Sequence, residues 1–386
     1  MKVSPWFRTT LTSAFILLML ASAHLFMVVV NAAEAAFDPP RLSEGLTARM
    51  VTDRPVAEEL AAAAKKTKAP DKRQVLEAAL AEERAGRPVA LRTLPVTRFL
   101  VGATLGLTAL GAVLIWLTSR LRGDAAQTIV GVFGGNLMWT GGVEYGLTIA
   151  ARELGVGKAV GVVDGQAVAI YGEYVLLKHS WGLLALVVGY LVFLETSRCP
   201  IFVWWRKNVP TMRGPVVSGR IDNYGPRSGF QYATTVWGFY LLLLWAYDER
   251  VMGVYSLATK ALLALSIAGA IYCVRRLHQQ PGWGAAVRYA IGAMIVVWTP
   301  VEIASKWGLM REPWLLLRPE TLLIFFGGLA AGTWALWSAQ RRRLRALALV
   351  PVEPARAPGF AGAPGSGGVL SKRAREGEAS TAVVAA

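Results

Sequence analysis

Two glutamates set in long apolar stretches are the residues of this chain best placed to do chemistry. Glu144 ends the run Trp139-Thr140-Gly141-Gly142-Val143-Glu144, and Glu302 ends Trp298-Thr299-Pro300-Val301-Glu302. An unpaired charge inside a membrane span is costly, so each such carboxylate is a functional candidate by default. Asn136, Thr140 and Glu144 recur every four residues and share one helix face. Gly134, Gly135, Gly141 and Gly142 let a neighbouring helix approach closely. That pattern describes a helix lining a polar cavity, and it equally describes a tightly packed helix whose glutamate only bonds its neighbours. Pro300 removes a backbone donor near Glu302 and frees carbonyls that a cavity can use, while Thr299 is the counterpart of Thr140. Two carboxylates held close cannot both ionise cheaply, so such a pair shares a proton near neutral pH. That chemistry suits proton coupling, cation binding or acid–base catalysis alike. Lys306, one turn beyond Glu302, offers the plainer outcome of a neutralised charge.

Other polar groups carry weaker signals. His179 with Glu173 and Asp164 is one histidine among oxygens, a poor metal set that a titrating loop residue explains better. Glu195 and Arg198 have the i, i+3 spacing of a local ion pair, and Lys260 can pair with a carboxylate or snorkel outward. Arg206, Arg213, Arg220 and Arg227 recur every seven residues. They read as contacts to phosphate-bearing lipid headgroups or, the favoured reading, as an orientation signal for the loop that carries them. Nucleotide-binding glycine loops, a serine nucleophile elbow, an aspartate-rich prenyl motif and HExxH are all missing, so no catalytic residue is assigned and the balance leans away from an enzyme. Three histidines, His24, His179 and His278, are too few for a desaturase-type cluster, and none falls mid-span in the core blocks for bis-histidine haem. Cys199 and Cys273 form neither a metal spacing nor a disulfide framework. No cofactor is expected.

The elements that must position these residues are helices. The 386 residues are 54% hydrophobic and 17% charged, and the apolar ones collect in blocks rather than in the scattered period of a soluble fold. Blocks of about twenty residues match a ~30 Å hydrocarbon layer, which predicts an all-α, polytopic transmembrane bundle. Lys2 and Arg8 precede an apolar run from Leu11 to Val30, so residues 1–32 read as a signal peptide or an uncleaved anchor. Residues 33–96 form a charged, Ala-rich exported spacer with one short helix beginning at Asp71. Its stripe of Val75, Leu76, Ala79 and Leu80 is too thin for an independent core. Seven core blocks follow, near 97–118, 127–150, 182–204, 231–247, 253–274, 284–304 and 320–338.

The net charge of +16 invites a nucleic-acid reading. The arginines instead follow alternate blocks, at 120–122, 206–227, 275–276 and 341–345, as positive-inside loops do. The expected partner is therefore the lipid bilayer, and not nucleic acid. This orientation puts residues 33–96 outside and the C-terminus in the cytoplasm, in the inner membrane of a bacterium. The glycine-rich stretch 155–181 then faces outward, lying in the interface or dipping in as a re-entrant segment. Residues 346–386, rich in Pro, Gly, Ala and Ser, read as a disordered tail.

An internal duplication organises the blocks. Leu107 to Arg122 sets against Leu263 to His278, the two Trp-Thr…Val-Glu runs follow in the same order, and Glu173 to Lys178 then matches Glu312 to Arg318. The chain divides into a first transmembrane repeat (97–204), an Arg-rich loop and linker span (205–247) and a second repeat (253–345). This is a 3+1+3 parallel arrangement, with chance matching of Leu, Ala and Gly as the competing explanation. The arrangement resembles that of the SWEET-type sugar transporters in topology alone, and no family membership follows. The proline–glutamine loop motif of that family is not present, so no residue role carries over. Seven-span rhodopsins share the orientation, but the final span here has no lysine for retinal. The leading expectation is a small-solute or cation transporter using Glu144 and Glu302. The alternatives are an accessory or structural subunit of a larger membrane protein complex, and a membrane enzyme acting on a lipid or isoprenoid.

Overall fold

A computed structural model describes residues 4–193, 208, 223–310 and 312–348. Glu195, Arg198, Cys199, Arg206, Arg213 and Arg220 lie outside the described residues, as does the tail beyond 348. The chain divides into two units, Met1–Arg342 and Arg343–Ala386, and the site and its supporting elements belong to the first.

The architecture is helical. Helix α1 (Pro5–Phe37) starts with proline in its first turn, where the missing N–H costs nothing. It runs unbroken through Ala32 and Glu34. Expected as a leader or an anchor, α1 is a wall of the core, with Phe15, Ile16, Met19 and Leu25 fully buried. Within a bilayer such contacts stabilise through van der Waals packing, since lipid is as apolar as leucine.

Further along, α4 (Arg98–Leu117) is capped by Thr97, whose hydroxyl accepts from the Leu100 N–H at 3.1 Å. It is preceded by two short helices, α2 (Val56–Lys66) and α3 (Pro70–Arg84). Then α5 (Asp124–Met138), a π-helical turn (Trp139–Tyr145) and α6 (Gly146–Glu153) form one continuous rod. After α7 (Gly172–His179) and α8 (Trp181–Phe193) come α9 (Tyr224–Ala246), α10 (Leu257–His278) and α11 (Trp283–Lys306). The last rod is α12 (Pro319–Leu322), a second π turn (Leu323–Gly327) and α13 (Gly328–Ala348).

Among the described residues, five helices are long and apolar enough to cross a membrane: Pro5–Phe37, Arg98–Arg120, Leu257–His278, Trp283–Lys306 and Pro319–Arg342. They are compatible with an integral membrane protein. The blocks expected at 127–150, 182–204 and 231–247 are not among the five. The first of these is diluted by its glycines and polar stripe, and α9 spends its early turns on polar residues such as Arg227 and Gln231. The described part of α8 is short.

Helix α5 is held by glycines on two sides. A Cβ added at Gly131 or Gly135 would overlap the backbone of Gly225 or Gly229 on α9, so two Gly-xxx-Gly faces meet directly. On the other side, a Cβ at Gly141 would come within 2.8 Å of the Thr108 nitrogen on α4. No side chain larger than hydrogen fits these contacts without moving a helix.

The spacer and the glycine-rich stretch fold together into a cap on one end of the bundle. Strands β2 (Arg92–Thr93), β4 (Ala159–Val163) and β5 (Gln166–Ile170) form a sheet in the order β2-β5-β4. Its β2–β5 pair is parallel and its β4–β5 pair antiparallel. A second, two-stranded pair joins β1 (Arg49–Met50) to β3 (Val156–Gly157). Leu60 and Ala64 of α2 and Leu76 of α3 are buried with Leu91, Val160 and Ala169. The thin α3 stripe does find a core, because its other half arrives from the glycine-rich stretch. Within that stretch Ala159–Ile170 is a hairpin, turned by Asp164 (φ 47°) and Gly165 (φ 67°). The spacer also holds two helices where one was expected.

Candidate functional site

The π turn places the first candidate carboxylate. A π segment adds one residue to the helical turn and recurs at functional sites. Asn136, Thr140 and Glu144 are all buried, so the stripe read from the sequence faces the protein interior. Asn136 is spent on structure: its Oδ1 accepts from the Tyr232 hydroxyl at 2.9 Å, and its Nδ2 reaches the Ser22 Oγ at 3.5 Å. These bonds tie α5 to α9 and α1. Glu144 is different. Its Oε2 is buried, and the Thr140 Oγ1 and Trp139 Nε1, also buried, lie against the carboxylate without forming well-aligned hydrogen bonds.

On α11, one carboxylate oxygen of Glu302 accepts from the Trp298 Nε1–H at 2.7 Å. Thr299 is buried and donates to the Ile295 carbonyl at 2.9 Å, so its hydroxyl is committed to the backbone before Pro300. Lys306 does not neutralise Glu302 by contact. Its ammonium lies 5.3 Å over the Tyr247 ring, and among the described residues no ion pair joins the two.

What links the glutamates is His24 of α1, which lies within electrostatic reach of both. Its Nε2 is 3.2 Å from the Tyr240 hydroxyl of α9, the two rings stack at 6.0 Å, and its Nδ1 is buried without a partner. Tyr240 is in turn within reach of both Glu144 and Glu302. Sequence reasoning passed over His24 because it lies in a segment that reads as a leader. The available signal was that His24 is the one titratable residue between Leu11 and Val30.

Towards the cap, Tyr174 stacks on Tyr240 at 6.3 Å. Its neighbour Glu173 opens α7. Burial pushes the Glu173 carboxyl up to about 7, with Glu144 reinforcing the shift and Arg152 and Lys158 opposing it. Glu312 accepts from the Ser305 hydroxyl. His179, Glu173 and Asp164 are not brought together. Asp164 is the hairpin turn, the His179 Nδ1 pairs with the Val175 carbonyl at 2.8 Å, and the described residues contain no group of three such side chains able to hold a metal. Of the four heptad-spaced arginines only Arg227 is described, half-buried near the start of α9.

Three ion pairs hold the cap end together. Arg152 grips Glu34 through two bonds of 2.6 and 2.9 Å, and the Thr97 hydroxyl donates to the same carboxylate at 2.6 Å. Lys178 pairs with Asp248, and Arg250 with Asp53 at 2.8 Å. The last two pairs fasten α7 to the end of α9, and the end of α9 to the cap.

Compared with protein-family models, with curated proteins and with solved structures, the chain matches none. Its class rests on its own features: a helical protein with apolar helices of membrane-spanning length, built around a buried polar cluster.

Proposed function

We propose that the chain is an integral membrane protein that moves a small solute or cation in exchange with protons at His24, Glu144 and Glu302. One observation carries this reading. Carboxylates from matching runs on two different helices lie within electrostatic reach of the same histidine, the His24 Nδ1 and the Glu144 Oε2 are buried without an aligned hydrogen bond, and Thr140 and Trp139 lie against Glu144. A buried polar atom without an aligned hydrogen bond costs about 1–3 kcal/mol, and in this proposal that cost falls where a proton or solute is engaged. Asn136 and Thr299 hold the frame.

The proposal includes seven core spans after α1, arranged 3+1+3. The two Glu-bearing helices pack on each other, α5 also against α4 and α9, and α11 also against α10, α1 and α9, so both stand at the centre of the bundle. We place the cap outside and the C-terminus in the cytoplasm of a bacterial inner membrane, on the arginine loops. The test is uptake of candidate cations and solutes into proteoliposomes under a pH gradient. Glu144→Gln and Glu302→Gln should each abolish uptake while the protein still inserts, and wild-type uptake by both would end the site proposal.

The folded cap favours a second reading, an accessory subunit that docks a partner there. Gentle extraction and sizing separate the two: stoichiometric co-purification of other subunits supports the subunit, and a lone species the transporter.

A further inference from the structure

An apolar cleft of about 480 Å³ opens between α5 and the last rod, lined by Phe133, Phe326, Leu329, Ala330, Trp334 and Trp337 with Thr333. This volume is in the range of ~300–1,000 Å³ typical of ligand clefts. Its one hydroxyl, that of Thr333, donates to the Leu329 carbonyl at 2.7 Å, so apart from the indole N–H groups of Trp334 and Trp337 the walls are apolar. Beside it Phe26 packs edge-on against Phe326 at 5.1 Å, and Leu18 of α1 meets α13 at Gly328. From Phe326 to Trp337 the rod rises about 16 Å at 1.5 Å per residue, close to the ~15 Å of one leaflet of a ~30 Å hydrocarbon layer. One turn past the cleft, the Arg341 guanidinium lies 5.4 Å over the Trp337 ring, and Arg341 and Arg342 are both exposed.

We propose that this cleft seats an acyl chain of one anionic phospholipid, with its phosphate held at Arg341 and Arg342. Apolar walls of one-leaflet length select hydrocarbon. The two arginines at the end of that length select a negative headgroup, because guanidinium pairs with phosphate in a fixed fork. The inference is independent of the His24–Glu144–Glu302 site.

The test uses nanodiscs of phosphatidylglycerol and phosphatidylcholine in equal amounts, followed by native mass spectrometry of the full chain. Wild type should retain one phosphatidylglycerol, at least about tenfold over phosphatidylcholine. Ala330→Phe, which fills the cleft, should retain none, and the double variant R341Q/R342Q should retain a lipid without preference. Because Ala330→Phe could disturb the rod, wild type is also titrated with lipids brominated on the acyl chain. Brominated phosphatidylglycerol should quench tryptophan fluorescence at lower fractions than brominated phosphatidylcholine. Equal retention and equal quenching of the two lipids would overturn the proposal. So would a wild-type dimer that Ala330→Phe splits, since the cleft would then belong to a second copy.

Discussion

Glu34 and Glu144 are both buried glutamates with opposite surroundings. Glu34 is 3% exposed, and its two oxygens meet Arg152 and Thr97 in three short bonds. Glu144 is 6% exposed and keeps one oxygen without any partner. A buried carboxylate inside a bidentate pair works as a strut, because either partner alone would be an uncompensated charge. A buried carboxylate held without a counter-ion in contact is a liability to folding and gains its use from what arrives there. Burial alone therefore does not separate a structural acid from a functional one. The partner set does.

The comparison breaks most sharply at Glu34. Glu34→Gln or Arg152→Ala should cost about 3–5 kcal/mol, the usual loss on stripping one side of a buried pair. Denaturant unfolding in detergent would measure it, and a loss below about 1 kcal/mol would show that the pair is not a strut. Next in size is Gly135→Val, which must push α9 off α5 and should cost about 1–3 kcal/mol by overpacking. Gly142→Ala, whose added Cβ meets the Thr108 side chain no closer than 3.4 Å, should cost far less. Glu144→Gln should then leave stability unchanged or raise it by about 1 kcal/mol, because it removes a charge that lacks compensation. The same substitution at Glu34 and at Glu144 is thus expected to move stability in opposite directions.

The last effect, a pH-dependent one, concerns Glu173. Its folded carboxyl is raised to about 7 from an ordinary 4.5, so the folded state holds the proton more tightly. Its contribution to stability is therefore full below about 4.5 and is lost as pH climbs towards 7. Glu173→Gln should remove that slope and be more stable than wild type at pH 8 by about 1–2 kcal/mol. A parallel pH profile in both proteins would place the titration elsewhere.

How much of this was legible in the sequence follows from distance along the chain. The helical, apolar character is local, and blocks of twenty residues display it directly. Glu144 and Glu302 stood out for the same reason, as charges where charge is expensive. The cap core was hidden, since Leu76 and Val160 come from segments separated by two apolar blocks and neither segment looks sufficient alone. The Glu34–Arg152 pair spans 118 residues and leaves no pattern. His24 was hidden differently: a positive flank and a long apolar run resemble a leader so closely that its only ionisable residue drew no attention.

The proposed proton exchange at the buried cluster is read by infrared difference spectroscopy without knowledge of any solute. Spectra of the protein in lipid between pH 5 and pH 8 should contain a protonated-carboxyl stretch that weakens in both Glu144→Gln and Glu302→Gln and shifts in His24→Gln. Glu34→Gln should leave that band in place. A difference band identical in wild type and in both glutamine variants would contradict the account, because the two carboxylates would then be as inert as Glu34.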